Sequence, residues 1–408
     1  MQHAIPAVPG HDPRAAMTAA VSSCVHCGFC LPACPTYRVL GEEMDAPRGR
    51  IVLMKEVLEG TLPLDEAAPH LERCLGCLAC ETACPSGVRY RDLIEPMRAR
   101  LHDRRRGLAG TARTLLLALM TRPAWFRLAA ALGAGMTGAR GLLPSRAAAM
   151  LDLVPARLPA PVSFPAISRA RGRRRGRVAL MTGCVQHVLA PGITDAAITV
   201  LTACGVEVVV PGAQGCCGAL ALHSGAESIG RNQARAHAAR FPADVDAVIA
   251  TAAGCGSSMK ATHGGGAPVR DLLEYLDALG PGGPFALPAP MTAAYQDACH
   301  LAHAQQITEA PRRLLRAVSG LSLVPVAEAG LCCGSAGLYN VDQPGIAADL
   351  GRRKAEALAA TGASMAITAN IGCLLQIRTS LAAAGHALPV RHAAEVLAMA
   401  LPGARGRQ

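Results

Sequence analysis

The run CVHCGFCLPACP at residues 24–35 returns as CLGCLACETACP at residues 74–85. In each copy four cysteines stand with gaps of two, two and three residues, and a proline follows the last. A thiol packs no better than another small apolar side chain and brings reactivity with it. Eight of them at fixed spacing are therefore a demand for thiols as such, and the fold has to gather them.

Three thiolates from a CxxCxxC loop suit one [4Fe-4S] cube, because the short turning backbone aims successive sulfurs at one volume. In bacterial-type ferredoxins the fourth cysteine of such a run ligates the other cluster. Applied here, Cys24, Cys27, Cys30 and Cys84 hold one cube, and Cys74, Cys77, Cys80 and Cys34 the second, so that each run completes its neighbour. Zinc is the competing ion; it takes four thiolates from CxxC pairs and has no use for a third cysteine plus Cys-Pro. Gly28 and Gly76 are expected to let the loops bend, and Pro35 and Pro85 to stop helices. His26 reads as a neighbour of the first cube and not a ligand.

Between the runs, APRGRIVLMKEVLEG places Ile51, Met54, Val57 and Leu58 on one face of a spacer helix ending at Gly60. Arg38, Arg48, Arg50, Arg73, Arg89 and Arg91 offer positive charge against the negative cubes, with solvation as the plain alternative for each.

Nine more cysteines follow. Cys184, Cys216, Cys217 and Cys255 recur as Cys299, Cys332, Cys333 and Cys373 at an offset of 115 to 118 residues, an internal duplication. Each copy alternates apolar strands (RVALMTGC, VEVVVP and AVIATAAGC; TAAYQDAC, LSLVPV and SMAITANIGC) with helical stretches. That pattern predicts parallel βαβ units, with the cysteines gathered at the carboxyl ends of the strands. The chain thus divides into a helical 2[4Fe-4S] domain (1–105), a helical segment with a basic Pro/Arg-rich linker (106–176), and two α/β cysteine-rich domains (177–285 and 290–402), α+β overall. Cys204 lies outside the pattern and reads as a core residue. His187, His223, His300 and His303 lie near the motifs as candidate ligands or proton carriers, with packing as the alternative.

At 408 residues and 51% hydrophobic, the chain can bury more than one core. Its start lacks the basic and apolar regions of a secretory signal, so we expect a reducing cytoplasmic setting in which 17 cysteines serve metal or redox chemistry. The apolar stretch 114–136 is interrupted by Arg122, Pro123 and Arg127 and reads as two packed core helices, an amphipathic hairpin being the alternative. The net charge of +11 and the run RARGRRRGR at 169–177 read as a solvated linker. Five Phe, five Tyr and one Trp leave few platforms for stacking bases, so nucleic acid is not an expected partner. GAGMTG at 133–138 matches a dinucleotide fingerprint but follows a helix-like run, and reads as a loop.

CVHCGFCLPACP, APRGRI, CLGCLACETACPSGV, GCCGAL and LCCGSAGLYN together resemble the iron-sulfur subunit family of bacterial glycolate oxidase (glycolate dehydrogenase), across nearly the full chain. The same plan occurs in lactate-utilisation and anaerobic glycerol-3-phosphate dehydrogenase subunits and in heterodisulfide reductase. The resemblance implies an electron-transfer subunit of an oxidoreductase acting on CH-OH groups, not catalytic alone. FAD-containing partner subunits would oxidise glycolate to glyoxylate and pass electrons through two [4Fe-4S] clusters to a quinone or other membrane acceptor. It places the protein peripherally on the cytoplasmic face of the inner membrane. Two one-electron cubes in series suit a flavin that delivers two electrons. A further iron-sulfur cluster on the cysteine-rich domains stays open, as do lactate, glycerol 3-phosphate and thiol-disulfide chemistry. In heterodisulfide reductases the second motif closes with CxxC, and here Ser258 and Gln376 stand at the position of the extra thiol.

Overall fold

The computed structural model describes residues 1–6, 13–105, 107–136, 141–155, 157–262, 264–280 and 285–402. Six helices form the N-terminal module: α1 (Pro13–Ser22), α2 (Pro35–Leu40), α3 (Pro47–Glu59), α4 (Leu64–Glu72), α5 (Ala79–Thr82) and α6 (Arg91–Arg104). Met17, Ile51, Met54, Leu71, Leu93, Ile94 and Met97 make its core, so the spacer helix α3 buries the face its periodicity marks. Pro35 opens α2 instead of ending a helix, since its fixed φ and missing N–H suit a first turn.

Segment 106–176 is helical in its first part, as expected, with one helix more than the pair at 114–136. It folds as α7 (Leu108–Met120), α8 (Pro123–Gly135) and α9 (Ser145–Asp152), and the stretches Gly110–Met120 and Pro123–Gly135 bend by 103°. The two-core-helices reading holds for one face only. Phe126, Ala130 and Gly133 point inward, while Leu115, Trp125, Leu128, Leu132 and Met136 are exposed. Among the described residues no single helix is long and apolar enough to cross a membrane. Gly133–Gly135 of the dinucleotide-like motif form the last turn of α8 instead of a loop, and 137–138 lie outside the described residues. The basic run is exposed from Arg169 to Arg175 apart from the half-buried Ala170, and is tied to the sheet at two points: Arg177, in β2, pairs with Glu207 at 2.5 Å, and the Arg171 N–H donates to the Thr202 carbonyl at 2.9 Å.

The duplication appears as two sheets. The first has the order β1-β3-β2-β4-β5, from β1 (Ile167–Ser168), β2 (Gly176–Leu180), β3 (Val206–Val209), β4 (Ala247–Ala250) and β5 (Val269–Asp271). The second has β7-β6-β8-β9, from β6 (Ala286–Tyr295), β7 (Ser319–Val324), β8 (Met365–Thr368) and β9 (Val390–His392). All pairs are parallel except the edge pair β1–β3. The first sheet thus recruits β1 from the segment assigned to the linker. The second begins at Ala286, ahead of the expected 290. One apolar core runs through both halves, from Val178 and Leu201 to Ile367 and Val396.

Candidate metal centres

None of the 17 cysteines is in a disulfide. Two small cavities open inside the N-terminal module. Cys24, Cys27, Cys30 and Cys84 line the first, which Cys80 also touches, and Cys34, Cys74, Cys77 and Cys80 line the second. The last cysteine of each run stands with the first three of the other. Among the described residues no three or more Cys, His, Asp or Glu side chains gather at a single-ion position; the thiols are set around cavities instead. Four sulfur donors about each space fit a cube.

The loops reach this shape through left-handed backbone at two positions each. In the first run these are His26 (φ 57°) and Gly28 (φ 85°), and in the second, fifty residues on, Gly76 (φ 69°) and Leu78 (φ 61°). Each copy keeps glycine at only one of the two. An arginine lies over each glycine: a Cβ on Gly28 would come within 3.1 Å of Arg48 Nη1, and one on Gly76 within 2.8 Å of Arg98 Nη1. Arg48 also donates to the His26 carbonyl at 3.1 Å, and Arg98 to the Cys74 carbonyl. The first cavity is the outer one, with Cys27 exposed and Val25 and Phe29 beside it 64% and 65% exposed.

The second cavity is enclosed. Arg50, 1% exposed, donates to Thr36 Oγ1 at 3.1 Å and to the His70 carbonyl at 2.7 Å, with Nη1 3.9 Å from Cys34 Sγ. Its counter-charge is Asp45, fully buried at 3.4 Å, which Arg73 also reaches at 2.9 Å. The Tyr90 hydroxyl points at Cys74 Sγ at 3.7 Å. Burial raises the Cys77 and Cys80 thiols; it raises Cys74 too, but Arg50 and Arg98 outweigh it and hold that thiol below its usual value. Of the other expected arginines, Arg91 pairs with Glu81 at 2.7 Å, Arg38 with Glu328, and the exposed Arg89 with Asp92. Only Arg50 is buried at a cube, and Asp45 and Tyr90 are partners the sequence reading did not find.

Each cysteine-rich half gathers its own quartet. Cys184 starts a helix after β2, Cys216 and Cys217 precede a turn at Gly218, and Cys255 lies in the helix Ala253–Thr262. Cys184 and Cys216 stand 3.6 Å apart, and Cys216 also takes the Gly218 N–H at 3.4 Å. Hydrogen bonds from Cys184 and Cys217 pull the Cys216 thiol down. In the second half Cys299 contacts Cys332, Cys332 contacts Cys333, and Cys333 contacts Cys373, which lies in the helix Ile371–Ala383. Cys255 and Cys373 thus sit in helices, not at strand ends. Ser258 and Gln376, at the extra-thiol positions, are buried; Gln376 accepts from Asn340 Nδ2 at 2.6 Å.

The two quartets differ in surroundings. Cys299 and Cys332 share a buried cluster with Cys77 and Tyr339, whose hydroxyl donates to the Arg73 carbonyl at 2.7 Å, so the second quartet adjoins the enclosed cube site. All four thiols of the first quartet line a cavity of about 590 Å³ beneath α7–α9, and none of the second does. His300 Nδ1 lies 3.5 Å from Cys299 Sγ, and its ring meets that of His223 at 4.8 Å, edge to face. Burial pushes His223 down to about 4 and His300 down to about 3. His303 bonds Thr82 Oγ1 at 3.0 Å, His187 packs on Phe164, and Cys204 lies in the core.

Comparison with known proteins agrees with this layout. Residues 20–88 match a 4Fe-4S dicluster domain, and residues 178–260 and 293–378 each match a cysteine-rich domain, CCG. The chain is 37% identical over 400 residues to the glycolate oxidase iron-sulfur subunit of Escherichia coli (strain K12), covering 93% of this chain and 94% of that one. It is 34% identical over 412 residues to the probable glycolate oxidase iron-sulfur subunit of Bacillus subtilis (strain 168), covering 92% and 93%. Lactate utilization protein A of Exiguobacterium sp. (strain ATCC BAA-1283 / AT1b) is 29% identical over 239 residues, 54% of this chain and 96% of that one.

Proposed function

Since the chain belongs to the family of glycolate oxidase iron-sulfur subunits, we propose that it is the electron-transfer subunit of a glycolate dehydrogenase, taking electrons from FAD-containing partners and delivering them to a quinone. Its dicluster domain binds two [4Fe-4S] clusters. Bound there, each supplies a centre that gains and loses one electron at a time. The observation that carries the reading is the continuity of the thiol sets. The exposed Cys27 belongs to the outer cavity, Cys80 touches both cavities, and Cys77 of the enclosed one packs with Cys299 and Cys332.

The chain's own residues prepare that arrangement. Arg50 places a buried positive charge beside Cys34 and Cys74, and Arg98 ties the second loop to the first cysteine-rich half through the His223 carbonyl at 3.3 Å. The outer loop, with Val25 and Phe29 exposed, faces the donor. The outward stripe on α8 supports a peripheral position on the cytoplasmic face of the inner membrane, because a helix apolar on both sides is covered on both. Lactate has weaker support, since its relative aligns with about half of this chain.

Anaerobic purification from a strain grown on glycolate is expected to bring flavoproteins with the chain and a complex that reduces a water-soluble dye with glycolate. Normal growth on glycolate after deletion of the gene, with growth on lactate lost, would overturn the assignment.

A further inference from the structure

The duplicated quartets have diverged in one respect: the first opens to a cavity and the second is sealed against the N-terminal module. The cavity's roof is α7–α9, and the second half has no counterpart of this insertion. Its walls are mainly apolar, with Leu119, Phe126, Ala130, Met150 and Leu375 facing inward. A cluster on Cys184, Cys216, Cys217 and Cys255 would take only the floor. At about 590 Å³ the space lies in the range of small-molecule sites.

Three polar atoms on the lining lack partners: His223 Nε2, Asn340 Oδ1 and Arg113 Nε are buried with no hydrogen-bond partner among the described residues. A buried polar atom left unpaired is costly, so such atoms point to a ligand that satisfies them. Of the four arginines around the cavity, Arg105 is held by Glu72 at 2.5 Å, Arg113 by Asp342 at 2.6 Å, and Arg98 by two carbonyls. The fourth, Arg146, is exposed, which leaves a mainly apolar chamber with Arg113 Nε as donor and His223 Nε2 and Asn340 Oδ1 as acceptors, a set that fits a neutral ligand carrying carbonyl or hydroxyl oxygens. The roof itself carries the exposed Leu115, Trp125, Leu128 and Leu132 on its far side, an apolar route inward for a lipophilic molecule.

We infer that this cavity binds the head group of a lipophilic para-quinone, next to the first quartet, with its tail leaving past α8. The inference rests on the electron-relay reading and adds the place of delivery. Arg113 Nε–H donates to a quinone carbonyl; His223 Nε2, on a ring that donates to the Gly254 carbonyl, and Asn340 Oδ1 accept from the quinol hydroxyls. The chemistry balances: glycolate gives up two electrons and two protons to become glyoxylate, and quinone takes two electrons and two protons to become quinol.

The test uses the whole chain, purified anaerobically with its partners, and 6-decyl-2,3-dimethoxy-5-methyl-1,4-benzoquinone as probe. Calorimetric titration is expected to show saturable binding that glyoxylate does not displace. Ala130→Phe, which fills the chamber from α8, is expected to weaken it at least about tenfold, or about 1.4 kcal/mol. Should that variant misfold, Ala129→Phe and photolabelling of wild type by an azidoquinone serve instead, with label expected on α8 or around residues 337–341. No saturable binding, displacement by glyoxylate, unchanged affinity in a folded variant, or label elsewhere would overturn the inference. Glycolate-driven reduction of a water-soluble dye by the wild-type complex is scored separately. If the dye is reduced and the quinone does not bind, the relay stands and the site falls; if the dye is not reduced, the relay reading itself fails.

Discussion

His392 in the second half stands where Asp271 stands in the first: each ends the last strand of its sheet and caps the following helix. His392 Nδ1 accepts the Ala394 N–H at 3.1 Å, and Asp271 Oδ1 accepts the Leu273 N–H at 2.8 Å. His392 Nε2 lies 2.9 Å from the Thr251 carbonyl, so the proton sits on Nε2 and the ring caps only while neutral. Burial holds His392 below its usual value and pushes Asp271 up to about 7. The signs are opposite. As pH falls below about 6.5 the unfolded histidine binds a proton the folded one refuses, so the His392 contribution is lost. For Asp271 the folded form holds the extra proton between about 3.8 and 7, so its contribution is lost as pH rises through 7. Thermal melts between pH 7 and 5.5 should show His392→Asn losing less stability on acidification than wild type, and Asp271→Asn losing more, each by at most about 1.4 kcal/mol per pH unit.

The crossed ligand sets make a prediction about single thiols. Cys34→Ser, although in the first run, should remove the enclosed cluster, and Cys84→Ser the outer one. Iron and sulfide counts with EPR of the reduced protein should each show a loss of about four irons, with different signals missing. Loss of the same signal from both variants would contradict the crossing.

The two CCG turns cannot accept a side chain. Gly218 and Gly334 have φ of 84° and 88°. A Cβ on Gly334 would lie 2.6 Å from the Ala347 carbonyl oxygen, and one on Gly218 would collide with that of Gly230. Gly385, φ 74°, has nothing within 4 Å. Alanine at Gly385 should cost only the backbone term of about 1–2 kcal/mol. At Gly218 or Gly334 it should cost more, read by denaturant unfolding, because backbone has to move as well.

Arg50 and Asp45 form a buried ion pair, and without Arg50 the buried Asp45 keeps only the partly exposed Arg73 and His70 as partners. Arg50→Met should destabilise the N-terminal module by less than about 3–5 kcal/mol, the cost of a fully unpaired buried charge, because Arg73 remains on Asp45. Arg50→Lys should recover only part of this, since an ammonium does not reproduce the guanidinium's contacts with Thr36 and the His70 carbonyl. Equal melting of the Met and Lys variants would show that charge alone is not what matters there.

Phe29→Asp places charge on the exposed apolar rim of the outer cavity. It should leave the iron content unchanged and weaken association with the flavoprotein partners by at least about tenfold in a co-purification or biosensor titration, as expected for an aromatic anchor. Undiminished association would move the donor's docking face away from this loop.

Much of this was legible because cysteine spacing is a direct imprint of geometry. The two runs fall around their cavities, and the duplicated motifs follow β2 and β6 in the same order in both halves. Three-residue strands such as Val269–Asp271 and Val390–His392 are too short to show a period, and were missed. Cys255 and Cys373 read as strand ends because the apolar runs before them continue unbroken into helices. The basic run is solvated as its composition suggests, but composition does not reveal that its last arginine, Arg177, meets Glu207 across the sheet. Arg50 was one of six similar arginines in the sequence, and its burial depends on Asp45 and Thr36, which no spacing rule links to it.

The crossing of the two cysteine runs also bears on how the protein is made. A nascent chain that has reached residue 73 carries one complete run but only part of each cavity's lining, and the outer cavity stays open until Cys84 leaves the ribosome. Neither cluster can be seated in its final form during synthesis of the first run. The delivery machinery has to wait for the second, by which time α3 and α4 already lie between the two, and both centres can then be filled as one event.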